Sequence, residues 1–199
     1  MKTVSMSGSL RENVGKKDAK KQRSEGNVPC VLYGGEKQIH FSVPEKSFKD
    51  VIFTPNTYII NLNIAGKNYN SVLKDVQYHP VTDHILHVDF LEIFDNKSVA
   101  ISVPINLTGT SKGVLRGGKL VRKYRKLKVK GLPKYLPDEI QVDITNLNIN
   151  ESIKVMDLKT ENIEFLDPPS SIIAAVKSAR AVAEEEEPAA EPKAPAENA

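Results

Sequence analysis

Three of the four histidines in this 199-residue chain lie in one stretch, DVQYHPVTDHILHVDFLEI at 75–93, beside Asp75, Asp83 and Asp89. Imidazoles and carboxylates at that density suggest metal chemistry, a metal-dependent hydrolase built on His79, His84, His87 and Asp89. The spacing speaks against it. His87 and Asp89 stand two apart, as on one face of a strand, with no HExxH and no third ligand at a helical offset. Recognition suits the pair better: with Val88 and Phe90 turned the other way, both project outward and can hydrogen-bond base edges or ribose hydroxyls. Gln77 falls in phase with them if the flanking strands pair as a hairpin around His79 and Pro80, with Pro80 and Asp83 as turn residues. An acid is a poor phosphate ligand, so Asp89 on such a face accepts from a base amino group or a 2′-hydroxyl, or orients His87. Its purely structural alternative is a salt bridge beside the turn.

Nucleophilic catalysis has little support. There is no GxSxG, the serines lack a neighbouring base with an orienting acid, and Cys30, within the apolar VPCVLY, reads as core. Gly34-Gly35 and Gly117-Gly118 complete neither GxGxxG nor GxxxxGK[ST], and each suits a hairpin or loop beside strands. Tyr33, just before the first pair, can stack on a base or ribose, or pack at the rim of the core.

The elements that must position these groups are mostly strands. Ile60, Leu62 and Ile64 alternate with polar residues, and Ala65-Gly66-Lys67 signals a turn before a second strand at 69–76. Val99, Ile101, Val103, Ile105 and Leu107 alternate likewise, and Pro104, which cannot donate to a ladder, marks an edge strand or a bulge. Leu127 and Val129 alternate with Lys126, Lys128 and Lys130, giving a strand with one basic face. Ile140, Val142 and Ile144 repeat the pattern, and 172–176 is a short buried strand. Two helices are expected. One spans 16–25, where Lys16/Lys20 and Lys17/Lys21 share one side ahead of Gly26. The other spans 44–53, with Phe48, Val51 and Ile52 as its buried stripe. A polar break at 94–97 separates two β-rich domains, 1–95 and 96–180.

Charge is sorted along this frame. Residues 1–95 carry a net +1, 96–180 a net +7 and 181–199 a net −5, which together give the formal +3. Six bases and two acids lie between Arg11 and Arg23, and 112–134 holds ten bases and no acid. Two such runs point to a polyanion, because neutralised phosphates release counterions. The tail, sixteen of nineteen residues Ala, Glu or Pro, lacks apolar periodicity and is expected to be disordered. It is either an acidic arm that competes for the basic runs or a solubilising extension.

Several classes fall away. Apolar runs of about four or five residues are far short of the roughly 20 that a bilayer-spanning helix needs, and MKTVSMSGSLREN lacks a signal-peptide core. One cysteine permits no internal disulfide framework and no Cys-based zinc site, and suits a reducing cytosol. No cofactor is implied. The expectation is a cytoplasmic, mainly β protein with a few short helices.

Arg11, Gly15-Lys16, Lys20-Lys21-Gln22-Arg23, Gly26 and VPCVLYG at 28–34 resemble the opening of the bacterial large-subunit ribosomal protein L25 family. DVQYHP at 75–80 with HVDF at 87–90 resembles its second motif. VPI at 103–105, Gly109, Gly113-Val114, Gly117-Gly118, Leu136-Pro137, VDI at 142–144 and Asp157-Leu158 resemble the second domain of its longer members, the general stress protein Ctc type, as does the tail. The resemblance implies a small N-terminal β-barrel that binds 5S ribosomal RNA and a β-rich C-terminal domain. By position, RNA contacts would fall to Arg11, Lys16, Lys20, Lys21, Arg23, Tyr33, Gln77, His87 and Asp89. Gln22 departs from the apolar residue usual there. Lys20-Lys21 stands where Arg is common, which favours phosphate contact over base reading.

The leading function is thus a non-enzymatic, RNA-binding component of the large ribosomal subunit. The hydrolase above and a protein-interaction module acting through 112–134 are the alternatives. The lysine face of the second domain would meet ribosomal RNA or neighbouring ribosomal proteins.

Overall fold

A computed structural model describes residues 1–158, 160 and 162–178; the tail expected to be disordered lies outside them. Six strands form a closed barrel: β1 (Lys2–Leu10), β2 (Asn27–Tyr33), β3 (Ile39–Pro44), β4 (Tyr58–Ile64), β5 (Lys67–Tyr78) and β6 (Ile85–Glu92). Their order is β1-β3-β2-β6-β5-β4, and β1 runs parallel to β4 to close the ring. The alternation read in β4 holds, since Ile60, Leu62 and Ile64 are buried. Ala65 and Gly66 both take left-handed φ, +49° and +80°, the conformation a tight hairpin into β5 requires. Inside the barrel, Phe90 packs on Phe41 and Phe48 with ring centroids 5.6 and 6.3 Å apart.

β1 was not expected from its sequence. Only Val4 and Met6 alternate inward, followed by Gly8, where a Cβ would meet the Phe41 ring at 2.6 Å. β1 approaches closely there, and the neighbouring strand β3 supplies the bulk through Phe41.

α1 (Lys16–Ser24) follows β1 and matches the expected basic helix. The expected helix over 44–53 is a 3₁₀ turn, Glu45–Phe48, running into α2 (Lys49–Ile52), with Phe48 and Val51 buried. Thr54 precedes Pro55, which disfavours helical backbone and stops α2 there.

Beyond the turn at 95–96 come β7 (Val99–Thr108), α3 (Lys112–Leu115), β8 (Gly118–Arg122), β9 (Lys126–Gly131), β10 (Ile140–Asp143), β11 (Ser152–Lys154), β12 (Ile163–Phe165) and β13 (Ile172–Ser178). They form two sheets, ordered β10-β7-β9-β12 and β11-β13-β8. The protein is therefore mainly β with a few short helices. The reading of Pro104 as an edge-strand residue needs correction. β7 lies inside its sheet between β10 and β9, and Pro104 is tolerated because the ladder with β9 ends at the Pro104–Lys126 pair. Two compact units divide the described residues: 1–106 with 126–140, 160 and 162–167, and 107–125 with 141–158 and 168–178.

Candidate nucleic-acid interface

β2, β6 and β5 lie side by side, β2 parallel to β6 and β6 antiparallel to β5. Cys30, Leu32, Val88 and Phe90 fill the barrel interior, so the residues between them point outward. Gln77 sits directly opposite His87 in the ladder, and Asp75 opposite Asp89, which is paired on its other side with Val31. The hairpin expected around His79 and Pro80 forms, with His79 N donating to His84 O at 2.8 Å and Asp83 at φ +55°.

His87 Nδ1 lies 2.7 Å from Asp89 Oδ1, both side chains about 30% exposed. The carboxylate accepts from Nδ1 and so orients the ring, leaving Nε2 to face a ligand. Of the uses open to Asp89, orienting His87 is the one the geometry displays. Tyr33, at the end of β2, has its phenol pushed above the usual range by burial, then by the charges of Asp89 and Asp75. It stays a neutral donor with a ring available for stacking. The turn after it needs glycine: Gly34 has φ +104°, and a Cβ there would meet Leu91 Cδ1 at 2.8 Å.

The basic helix borders this face. Lys16, Lys20, Lys21 and Arg23 are all exposed. Lys21 lies 3.8 Å from Glu25, a solvent-facing pair worth little. Arg23 reaches across to β6, its Nε donating to Leu86 O at 3.0 Å, one residue before His87. The end of α1 thereby abuts the Gln77, His87 and Asp89 face. Arg11 is placed differently from the other eight expected contacts. Its side chain is 7% exposed, and its Nε and Nη2 donate to Asp18 Oδ2 at 3.0 and 2.5 Å. Asp18 and the Leu86 carbonyl were missed in the sequence; the available signal was that Asp18 is the one acid within α1.

The histidines are dispersed to separate tasks. His79 Nδ1 accepts from Val81 N and Thr82 N, both at 3.3 Å, within the hairpin loop. His84 Nδ1 lies 3.1 Å from Glu45 Oε1. Among the described residues no group of three or more His, Cys, Asp or Glu could hold a metal ion. Cys30 is fully buried and its thiol is pushed far above its ordinary range, chiefly by that burial. Among the same residues no helix is long and apolar enough to cross a membrane.

In the acid-free run at 112–134, Lys126, Lys128 and Lys130 are exposed along β9 while Leu127 and Val129 are fully buried, as the alternation predicts. Lys130 lies 3.9 Å from Glu164.

Two family models match the chain, the Ribosomal L25p family over residues 6–90 and the C-terminal domain of ribosomal protein TL5 over residues 98–180. The chain is 46% identical over 190 residues to the large ribosomal subunit protein bL25 of Cytophaga hutchinsonii, covering 96% of this chain and 99% of that one. It is 43% identical over 182 residues to the protein of the same name from Amoebophilus asiaticus, covering 92% and 93%. A third, from Phocaeicola vulgatus, is 43% identical over 188 residues, covering 91% and 95%. With an outward strand face, an adjoining basic helix and matches along nearly its whole length, the chain belongs to the ribosomal L25p family.

Proposed function

We propose that this protein is a structural component of the large ribosomal subunit that binds 5S ribosomal RNA through its barrel. It is not an enzyme, and its place is the ribosome in the cytoplasm, in keeping with relatives named as large-subunit proteins. Residues 1–95 serve as the RNA-binding domain and 96–180 as a second, β-rich domain. The interface comprises Arg11, Lys16, Lys20, Lys21, Arg23, Tyr33, Gln77, His87 and Asp89. The observation that carries this reading is the Arg23 bond to Leu86 O, which joins the row of bases on α1 to the strand face bearing His87.

The two parts do different work. The bases neutralise phosphates, which supplies affinity and a steep salt dependence. Gln77, the Asp89-oriented His87 and the neutral Tyr33 hydrogen-bond and stack, which distinguishes one RNA surface from another. The lysine face of β9 gives the second domain a contact for ribosomal RNA or neighbouring ribosomal proteins.

Sedimentation of a cell lysate through a sucrose gradient tests the assignment. The protein should travel with large subunits at low salt and leave them at high salt. Remaining at the top of the gradient at low salt would refute it.

A further inference from the structure

α1 is the part of the interface that the fold does least to hold. None of its nine residues is buried and Gly15 gives no side-chain cap, while a helix this short is marginal in water alone. The positions partly shielded from solvent are Asp18, Ala19 and Gln22, which offer little apolar surface. What ties its side chains to the barrel is polar. Arg23 Nε donates to Leu86 O at 3.0 Å. Near the other end, Asp18 Oδ2 accepts from both Nε and Nη2 of Arg11. Arg11 is itself fixed to the barrel wall, since its backbone N donates to His40 O of β3 at 3.0 Å and its side chain is 7% exposed.

We propose that Asp18 is a positioning residue for RNA binding: its carboxylate grips Arg11, seats α1 on the barrel and so aims Lys16, Lys20 and Lys21. The consequence for RNA rests on the function proposed above; the tether does not.

Asp18 is the wrong charge for a polyanion-binding helix. Replacing it with Ala removes a negative charge and, because Asp18 lies in the first turn of α1, a favourable contact with the helix N-terminus as well. The change of charge alone would strengthen RNA binding if Asp18 held no partner; the tether predicts the opposite sign.

The test uses the full chain as wild type, Asp18→Asn and Asp18→Ala. It measures hydrogen exchange of the α1 amides and binding to 5S ribosomal RNA and to an unrelated RNA duplex. For Asp18→Ala, α1 should exchange about tenfold faster and 5S binding should weaken about tenfold, the scale of one lost charge-assisted pair. Asp18→Asn, which keeps an acceptor oxygen, should fall between. Amides of β2 and β6 should stay protected, which separates release of the helix from unfolding. Unchanged α1 protection, or Asp18→Ala binding RNA as tightly as wild type or tighter, overturns the proposal. A wild type with no preference for 5S RNA defeats the proposed function instead, and the exchange measurement alone then decides the tether.

Discussion

The two halves of the proposed interface are held in opposite ways. Gln77, His87 and Asp89 stand on strands whose other face is the barrel core, where Val88 and Phe90 are fully buried, and the β5–β6 register fixes their spacing. No residue of α1 is buried, and two arginine contacts tie its side chains to the barrel. Coulomb attraction to phosphate has no preferred direction, so a lightly seated helix serves it. Hydrogen bonds weaken steeply off axis, so groups that read an RNA surface need a rigid floor. Under the proposed function, the contrast puts affinity in the helix and discrimination in the strands.

Three perturbations would break or sharpen that division. Lys20→Glu with Lys21→Glu has the largest expected effect, about a hundredfold weaker binding to any RNA at moderate salt. The slope of log affinity against log salt should flatten by about two, again from lost phosphate contacts. Titrations at several salt concentrations would show it, and a loss confined to 5S RNA would move specificity into the helix. His87→Ala should instead leave the salt slope alone and cost about 1–2 kcal/mol of discrimination. Competition between 5S and unrelated RNA measures this directly; an unchanged ratio removes His87 from the reading face. The smallest effect concerns the strand half's foundation. Cys30 lies in the core opposite Val88, with its thiol pushed far upward by burial. An unfolded thiol ionises near pH ~8.5 whereas the buried one stays protonated. Stability is therefore full below that pH and falls as pH rises past it, by up to about 1.4 kcal/mol per unit. Urea unfolding at neutral and alkaline pH should show this extra slope in wild type relative to Cys30→Ala. Equal slopes would mean that the thiol is not sealed in the core.

Legibility in the sequence followed how much each element depends on its own pattern. β4, β7, β9 and β10 have one buried and one solvated face, so alternation marked them. The shared outward phase of Gln77 and His87 likewise followed from period two. β1 escaped because its inward positions are Val4, Met6 and Gly8, and Phe41 from β3 fills the space. β11 and β12, three residues each, are too short to carry a period. Pro104 misled because a missing donor implies an edge, whereas the ladder simply ends there. Arg11 reads from sequence as one more base in a basic run. Only the fold shows that it is already engaged by Asp18, and such pairings depend on how the chain turns between β1 and α1.

The central claim is that this barrel recognises one ribosomal RNA rather than negative charge in general. Binding of the full chain to 5S ribosomal RNA, in competition with an unrelated RNA duplex at physiological salt, tests it most directly. The account predicts at least a roughly tenfold preference for 5S RNA, the least that two or three well-placed hydrogen bonds provide. Equal affinity for the two RNAs would contradict it.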